Sequence, residues 1–139
     1  MVTGDNNSAE HSADWVTIGY SLETGEALWT DRLDGGTGDT DVPRTVVVSP
    51  DGGSVVITGN SWGEGTGSDY LTAVYDTATG EKRWSTRHDG SAHGLDVAYT
   101  AAFTPSGDHV VVTGQSNYQL DEMTSDADMA TISYLVRWS

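Results

Sequence analysis

The chain has 139 residues, 21 acidic against 6 basic side chains for a formal net charge of -15, and no cysteine. That length holds one ordinary domain, and the charge argues against nucleic acid and anionic membranes as partners, since both are bound through Lys and Arg. The missing cysteine excludes disulfides, thiolate metal sites and a Cys nucleophile, and no stretch is apolar for long enough to span a membrane.

The apolar residues fall in short Val/Ile/Tyr runs divided by Gly, Asp, Ser and Asn, the pattern of many short strands. The runs repeat. Val2-Thr3-Gly4-Asp5, Ile57-Thr58-Gly59-Asn60 and Val112-Thr113-Gly114-Gln115 are successive copies, with 59 − 4 = 55 and 114 − 59 = 55. Thr24-Gly25 and Thr79-Gly80, Trp29 and Trp84, Asp34-Gly35 and Asp89-Gly90, and Asp41-Val42 and Asp96-Val97 keep the same register, as do Ser49-Pro50-Asp51-Gly52 and Thr104-Pro105-Ser106-Gly107. A fixed period of this size marks a repeat architecture.

In chain order, residues 1–40 predict three strands, beginning with the Val2 run and ending near Arg32. Residues 41–95 predict four: 42–49, a Pro-Asp-Gly-Gly turn, 54–59, a long polar loop over 60–68, 69–75, a turn at 76–80, and 81–89. Residues 96–139 predict three more, the last over 128–134, which resembles 14–20. The tail from Leu135 echoes Arg83-Trp84-Ser85 without the preceding turn. The runs 45–48, 55–58 and 109–113 are expected to be the most buried strands. Continuous apolar runs such as Val46-Val47-Val48 suit strands covered on both faces.

Four strands per period, the apolar pair first and the charged strand last, is the order of a β-propeller blade from centre to rim. The predicted fold is therefore all-β: propeller blades of four antiparallel strands in an incomplete ring of about two and a half blades. Met1 leads straight into what reads as the end of a strand, with no signal peptide. Closed rings use about four to eight blades, so further blades are the expected partners, from the same longer polypeptide or from identical copies.

Val74-Tyr75-Asp76-Thr77-Ala78-Thr79-Gly80-Glu81-Lys82-Arg83-Trp84 resembles the tryptophan-docking motif of quinoprotein-like propellers, and residues 20–29 are a second copy. Residues 41–59 and 96–114 resemble the strand pair of seven-bladed-type bacterial propeller repeats. The resemblance implies that Trp29 and Trp84 lie on outer strands and pack against a neighbouring blade near the turns holding Gly25 and Gly80. It implies a secreted or cell-surface bacterial-like protein. It does not extend to a quinone site, because no residue set here matches one.

The chemistry-bearing residues are mostly acids. The loops after the fourth strands hold Asp34, Asp39, Asp41, Asp89 and Asp96; those between second and third strands hold Asp5, Glu10, Glu64, Asp69, Asp121, Glu122, Asp126 and Asp128. In a propeller both sets open on one face. Ca2+ takes hard oxygen ligands, so Asp34, Asp39 and Asp41 are the first candidates for a weak calcium site; the competing role is capping of turn N–H groups. No other cofactor is expected. His11, His88, His93 and His109 share no ligand spacing, and no Gly-x-Ser-x-Gly is present. Trp15 and Tyr70 read as packing on the third strand, and Trp62 as the exposed aromatic available to a ligand. The leading expectation is a non-catalytic scaffold or interaction module; a quinone- or calcium-dependent oxidoreductase propeller and a carbohydrate-binding propeller are the alternatives.

Overall fold

The computed structural model describes residues 1–8, 11–36, 39–118 and 127–136. Ten strands follow one another: β1 (Val2–Ser8), β2 (His11–Tyr20), β3 (Ala27–Leu33), β4 (Asp41–Val48), β5 (Ser54–Gly63), β6 (Gly67–Asp76), β7 (Lys82–His88), β8 (Leu95–Phe103), β9 (His109–Tyr118) and β10 (Asp128–Leu135). They form three antiparallel sheets, β1-β2-β3, β4-β5-β6-β7 and β10-β9-β8, and no helix occurs among the described residues. The protein is thus all-β, and each sheet is a meander of sequence neighbours.

Two ladders share an irregularity at the same spacing. The β4–β5 ladder is irregular between Pro43 and Thr45, and the β8–β9 ladder between Ala98 and Thr100, 55 residues on. A glycine lies under each irregularity. A methyl on Gly59 would stand 2.8 Å from Pro43 Cα, and one on Gly114 the same 2.8 Å from Ala98 Cα. Only a residue without Cβ lets the strands approach this closely. The matching Gly4 on β1 has nothing within 4 Å, because β1 is the edge of its sheet. Threonine pairs recur likewise: Thr58 and Thr72 hydroxyls lie 2.9 Å apart, and Thr113 and Thr131 2.8 Å.

The middle sheet is covered on both faces. Val55, Ile57, Leu71, Ala73 and Tyr75 join Trp15 and Leu33 of the first sheet in one core. Val56, Tyr70 and Val74 join Ala98, Ala101, Val110, Val112 and Val136 in the other, with Trp84 and Tyr134 packed against it. Side chains alternate between faces along a strand, so β5 and β6 must be apolar at consecutive positions, and they are. The sheets at either end have one covered face each. Their open faces display Val2, Tyr20 and Leu28 on the first, Met129 and Leu135 on the third.

Three expectations need correction. The most buried strands are β5 and β6, whereas β4 is only half-buried and its Val48 is 49 % exposed. β4 is an edge strand with a single neighbour; its sequence resembles that of a central strand because a Val run has no marker for edge position. The 109–113 run alternates between buried and partly exposed, since one face of its sheet is open. The polar segment 60–68 is largely strand: Asn60 pairs with Tyr70, Ser61 with Asp69, Trp62 with Ser68 and Gly63 with Gly67, leaving a short turn. Its polar side chains are hydrogen-bonded: Asn60 Nδ2 donates to Ser68 Oγ at 3.0 Å, and Ser61 Oγ accepts from Arg87. After β10, the Val136 N–H donates to the Asp108 carbonyl at 2.8 Å. Glu10, Asp121, Glu122, Asp126 and the echo at 137–139 lie outside the described residues.

Candidate functional site

Two kinds of repeated contact join the sheets. The first is aromatic. Trp29 reaches from β3 onto the β6–β7 turn of the middle sheet. Its ring stacks on Tyr75, centroids 5.9 Å apart at 19°, and its Nε1–H donates to the Thr77 carbonyl at 3.0 Å. Gly80, at φ 73°, leaves room for the indole: a methyl there would fall 2.5 Å from Trp29 Cγ and 2.8 Å from Cε3. Trp84 on β7 meets Tyr134 of the third sheet at 5.6 Å and 52°. In the first sheet the β2–β3 turn repeats the β6–β7 turn. The Gly25 N–H bonds the Ser21 carbonyl at 2.9 Å, as the Gly80 N–H bonds Asp76. Gly25 also has φ 73°, yet nothing lies within 4 Å of where its Cβ would be.

The second contact is acidic. Carboxylate oxygens of Asp14, Asp34 and Asp41 lie within 4.8 Å of one another, and so do those of Asp69, Asp89 and Asp96. The second set is the first shifted by 55 residues: 14 + 55 = 69, 34 + 55 = 89, 41 + 55 = 96. Each triad joins the third strand of one sheet, the loop leaving its fourth strand and the start of the next sheet. Asp41 Oδ2 accepts from the Gly35 N–H and Asp96 Oδ2 from the Gly90 N–H, both at 2.7 Å. These aspartates therefore cap the turns ahead of β4 and β8. An arginine from the fourth strand answers each triad, Arg32 on Asp14 and Arg87 on Asp69.

The copies differ in burial. Asp14 and Asp34 retain contact with solvent, whereas Asp69 and Asp96 are fully buried. Asp69 Oδ2 accepts from Thr66 Oγ1 and Arg87 Nη1, each at 2.8 Å. Arg87 also donates to the Ser61 carbonyl, Ser61 Oγ and the Gly35 carbonyl, which fixes it between two sheets. Asp96 Oδ1 accepts from Ser116 Oγ at 2.6 Å and the Asn117 N–H at 2.8 Å. Burial raises the Asp69 carboxyl above its usual range against the pull of Thr66 and Arg87, and the charge of Asp89 adds to the rise. Burial likewise raises Asp41, opposed by hydrogen bonds from Ser61 and Gly35.

Of the residues singled out from sequence, Asp34 and Asp41 meet in the first triad, but Asp39 is not among its members. Asp39 instead lines an open recess of about 470 Å³ with Gly36, Trp62, Gly63, Glu64 and Gly65, where Trp62 is 42 % exposed. Trp15 and Tyr70 are buried in the two cores. His88 packs edge-on against Tyr70 at 5.6 Å, and His93 pairs with Asp89. Asp14 was not among the acids singled out from the sequence, and Asp69 stood there only as one of the loop acids. Their signal was the shared repeat position, at the start of the third strand. In chemical terms the triads are oxygen-rich and electronegative, suited to a hard cation or to proton sharing.

No family model, curated protein or solved structure matches this chain.

Proposed function

We propose that the chain is a non-catalytic β-propeller segment of the quinoprotein-like, tryptophan-docking type, a scaffold and interaction module of a secreted or cell-surface protein. One whole blade, β4 to β7, stands between two partial ones. The partner of its end faces is another sheet of the same repeat, supplied by an identical copy of the chain or by further blades of the same polypeptide.

The observation that carries this reading is the pair of vacant positions on the first sheet. Gly80 is filled by Trp29 from the preceding sheet, while Gly25, in the same turn at the same φ, faces open space. Gly59 and Gly114 lie under a neighbouring strand, while Gly4 does not. Tyr20, the counterpart of the Tyr75 that Trp29 stacks on, is 37 % exposed beside Leu28 at 61 %. A face shaped to receive the same contacts twice over suits a head-to-tail partner, which forms a ring when the rotation closes. Exposed edges of this kind are normally paired or covered.

Light scattering on the isolated chain tests the reading. Association that rises with concentration is expected, and Gly25→Arg, which blocks the vacant turn, is expected to return the chain to monomer with its strand circular dichroism intact. A stable monomer at the highest soluble concentration refutes an identical copy as the partner.

A further inference from the structure

We infer that Asp69, Asp89 and Asp96 form a binding site for a divalent cation of the hard, oxygen-preferring class, with calcium the best fit. The inference does not depend on the propeller reading. It rests on two oxygens that the fold leaves without partners. Asp69 Oδ1 and Asp89 Oδ1 are both buried and accept no hydrogen bond. The remaining oxygens of the triad are engaged. Asp69 Oδ2 takes Thr66 and Arg87, Asp89 Oδ2 takes His93 at 2.5 Å, and both oxygens of Asp96 take turn and strand donors.

Turn capping accounts for Asp96 and the arginine pair accounts for half of Asp69. Neither accounts for the two orphan oxygens, which belong to two of the three aspartates that each bring a carboxylate oxygen within 4.8 Å of the others. A buried carboxylate oxygen without a partner costs about 1–3 kcal/mol or more, and like charges at this distance add repulsion. One cation between them removes both costs. The charges agree: three carboxylates against Arg87 leave a net of two negative charges, 3 − 1 = 2, which a divalent ion neutralises. Side chains of oxygen donors alone select calcium or magnesium over softer metals. The Asp89 side chain is 22 % exposed, which gives the ion a route in and places for coordinating water. The sister triad at Asp14, Asp34 and Asp41 has the same residues, but Asp34 is exposed, so solvent serves its oxygens.

The test uses the whole chain and calcium alone, at matched ionic strength. Calorimetry is expected to show binding in the range of about 0.1–1 mM typical of extracellular modules, with a rise in melting temperature. Asp89→Asn, a partly exposed site that keeps its size, is expected to weaken binding by at least about tenfold, and Glu23→Gln, at an exposed acid outside both triads, to leave it unchanged. Terbium luminescence excited through Tyr70 and displaced by calcium gives a second readout on the unaltered chain. The idea is overturned by absence of heat, thermal shift and terbium emission at about 5 mM ion, which would leave the two carboxyls sharing a proton. It is equally overturned by a calcium response that survives Asp89→Asn and disappears in Asp34→Asn.

Discussion

Gly25→Ala and Gly80→Ala are the same substitution in the same turn, and the structure makes them unequal. Both residues have φ 73°. A left-handed backbone costs an L-residue about 1–2 kcal/mol, partly offset by about 0.4–1 kcal/mol from the stiffer unfolded chain. Gly25→Ala meets no atom within 4 Å, so its net cost is about 1 kcal/mol. Gly80→Ala meets the Trp29 ring at 2.5 Å from Cγ, well inside contact distance. The ring has nowhere to slide, because Gly19 holds its other side: a methyl there would come within 2.9 Å of Cζ2. Displacing the indole gives up its bond to Thr77, worth about 1 kcal/mol, its stack on Tyr75, about 1 kcal/mol, and about 1 kcal/mol of apolar burial. Gly80→Ala should therefore cost about 4 kcal/mol, roughly 3 more than Gly25→Ala. In a Trp29→Ala background the difference should vanish, giving a coupling energy of about 3 kcal/mol. Urea unfolding followed by circular dichroism, with an unchanged denaturant slope, measures all six proteins. Equal costs for the two glycines in the wild-type background would refute the argument that Gly80 is there to seat Trp29.

The two arginine–aspartate pairs offer a second comparison. Arg87→Leu strands the fully buried Asp69 and should cost about 3–5 kcal/mol, whereas Arg32→Leu, on a half-exposed guanidinium, should cost under about 1 kcal/mol; matching thermal shifts for the two would defeat the reading. The pH dependence has a defined sign. Asp41 and Asp69 are raised above 3.8 in the fold, so the stability they confer is full below that pH and lost as pH rises through their raised values. Asp51 and Asp76 are lowered, so theirs is present above 3.8 and lost as pH falls through their lowered values. Stability without added metal should climb from neutral into mild acid and fall again below 3.8, and Asp69→Asn should flatten the climb. A denaturation midpoint that only declines from neutral pH downward contradicts this.

The all-β class was legible because its information is local and repeated. The Pro50-Asp51-Gly52 and Thr79-Gly80 turns are each echoed 55 residues away, at Pro105-Ser106-Gly107 and Thr24-Gly25, so chance matches cancel and real ones accumulate. Burial was less legible. The Val run of β4 and that of β5 look alike as letters, but one strand has a single neighbour and the other has two strands and two sheets around it. The polarity of 60–68 misled for a related reason. Asn60, Ser61, Ser68 and Asp69 are polar to supply hydrogen bonds inside the middle sheet and, from Ser68 Oγ to the Asp96 carbonyl, to the next one, and polarity chosen for such a network has the same composition as polarity chosen for water.

The acidic site was hidden by distance along the chain. Asp69 and Asp89 are 20 residues apart and Asp96 is 7 further on, a spacing that fits no metal loop. The order comes from the sheets: β6 ends of the hairpin, the exit of β7 and the entry of β8 converge where two sheets meet. A spacing rule built for a single loop reports ligands carried by one turn, so it selected Asp34, Asp39 and Asp41. The better rule for a repeat is to ask which acids recur in register, since a carboxylate retained at one position in successive units is placed by the architecture. Asp14, Asp69 and Asp128 occupy the corresponding position at the start of the third strand, and that recurrence joins the third strand to Asp34, Asp41 and their later counterparts. Burial then decides what each copy is for. Where water reaches the oxygens, the triad serves as a turn cap. Where the next sheet closes over them, capping leaves two oxygens over, and the same three letters acquire a demand for a ligand.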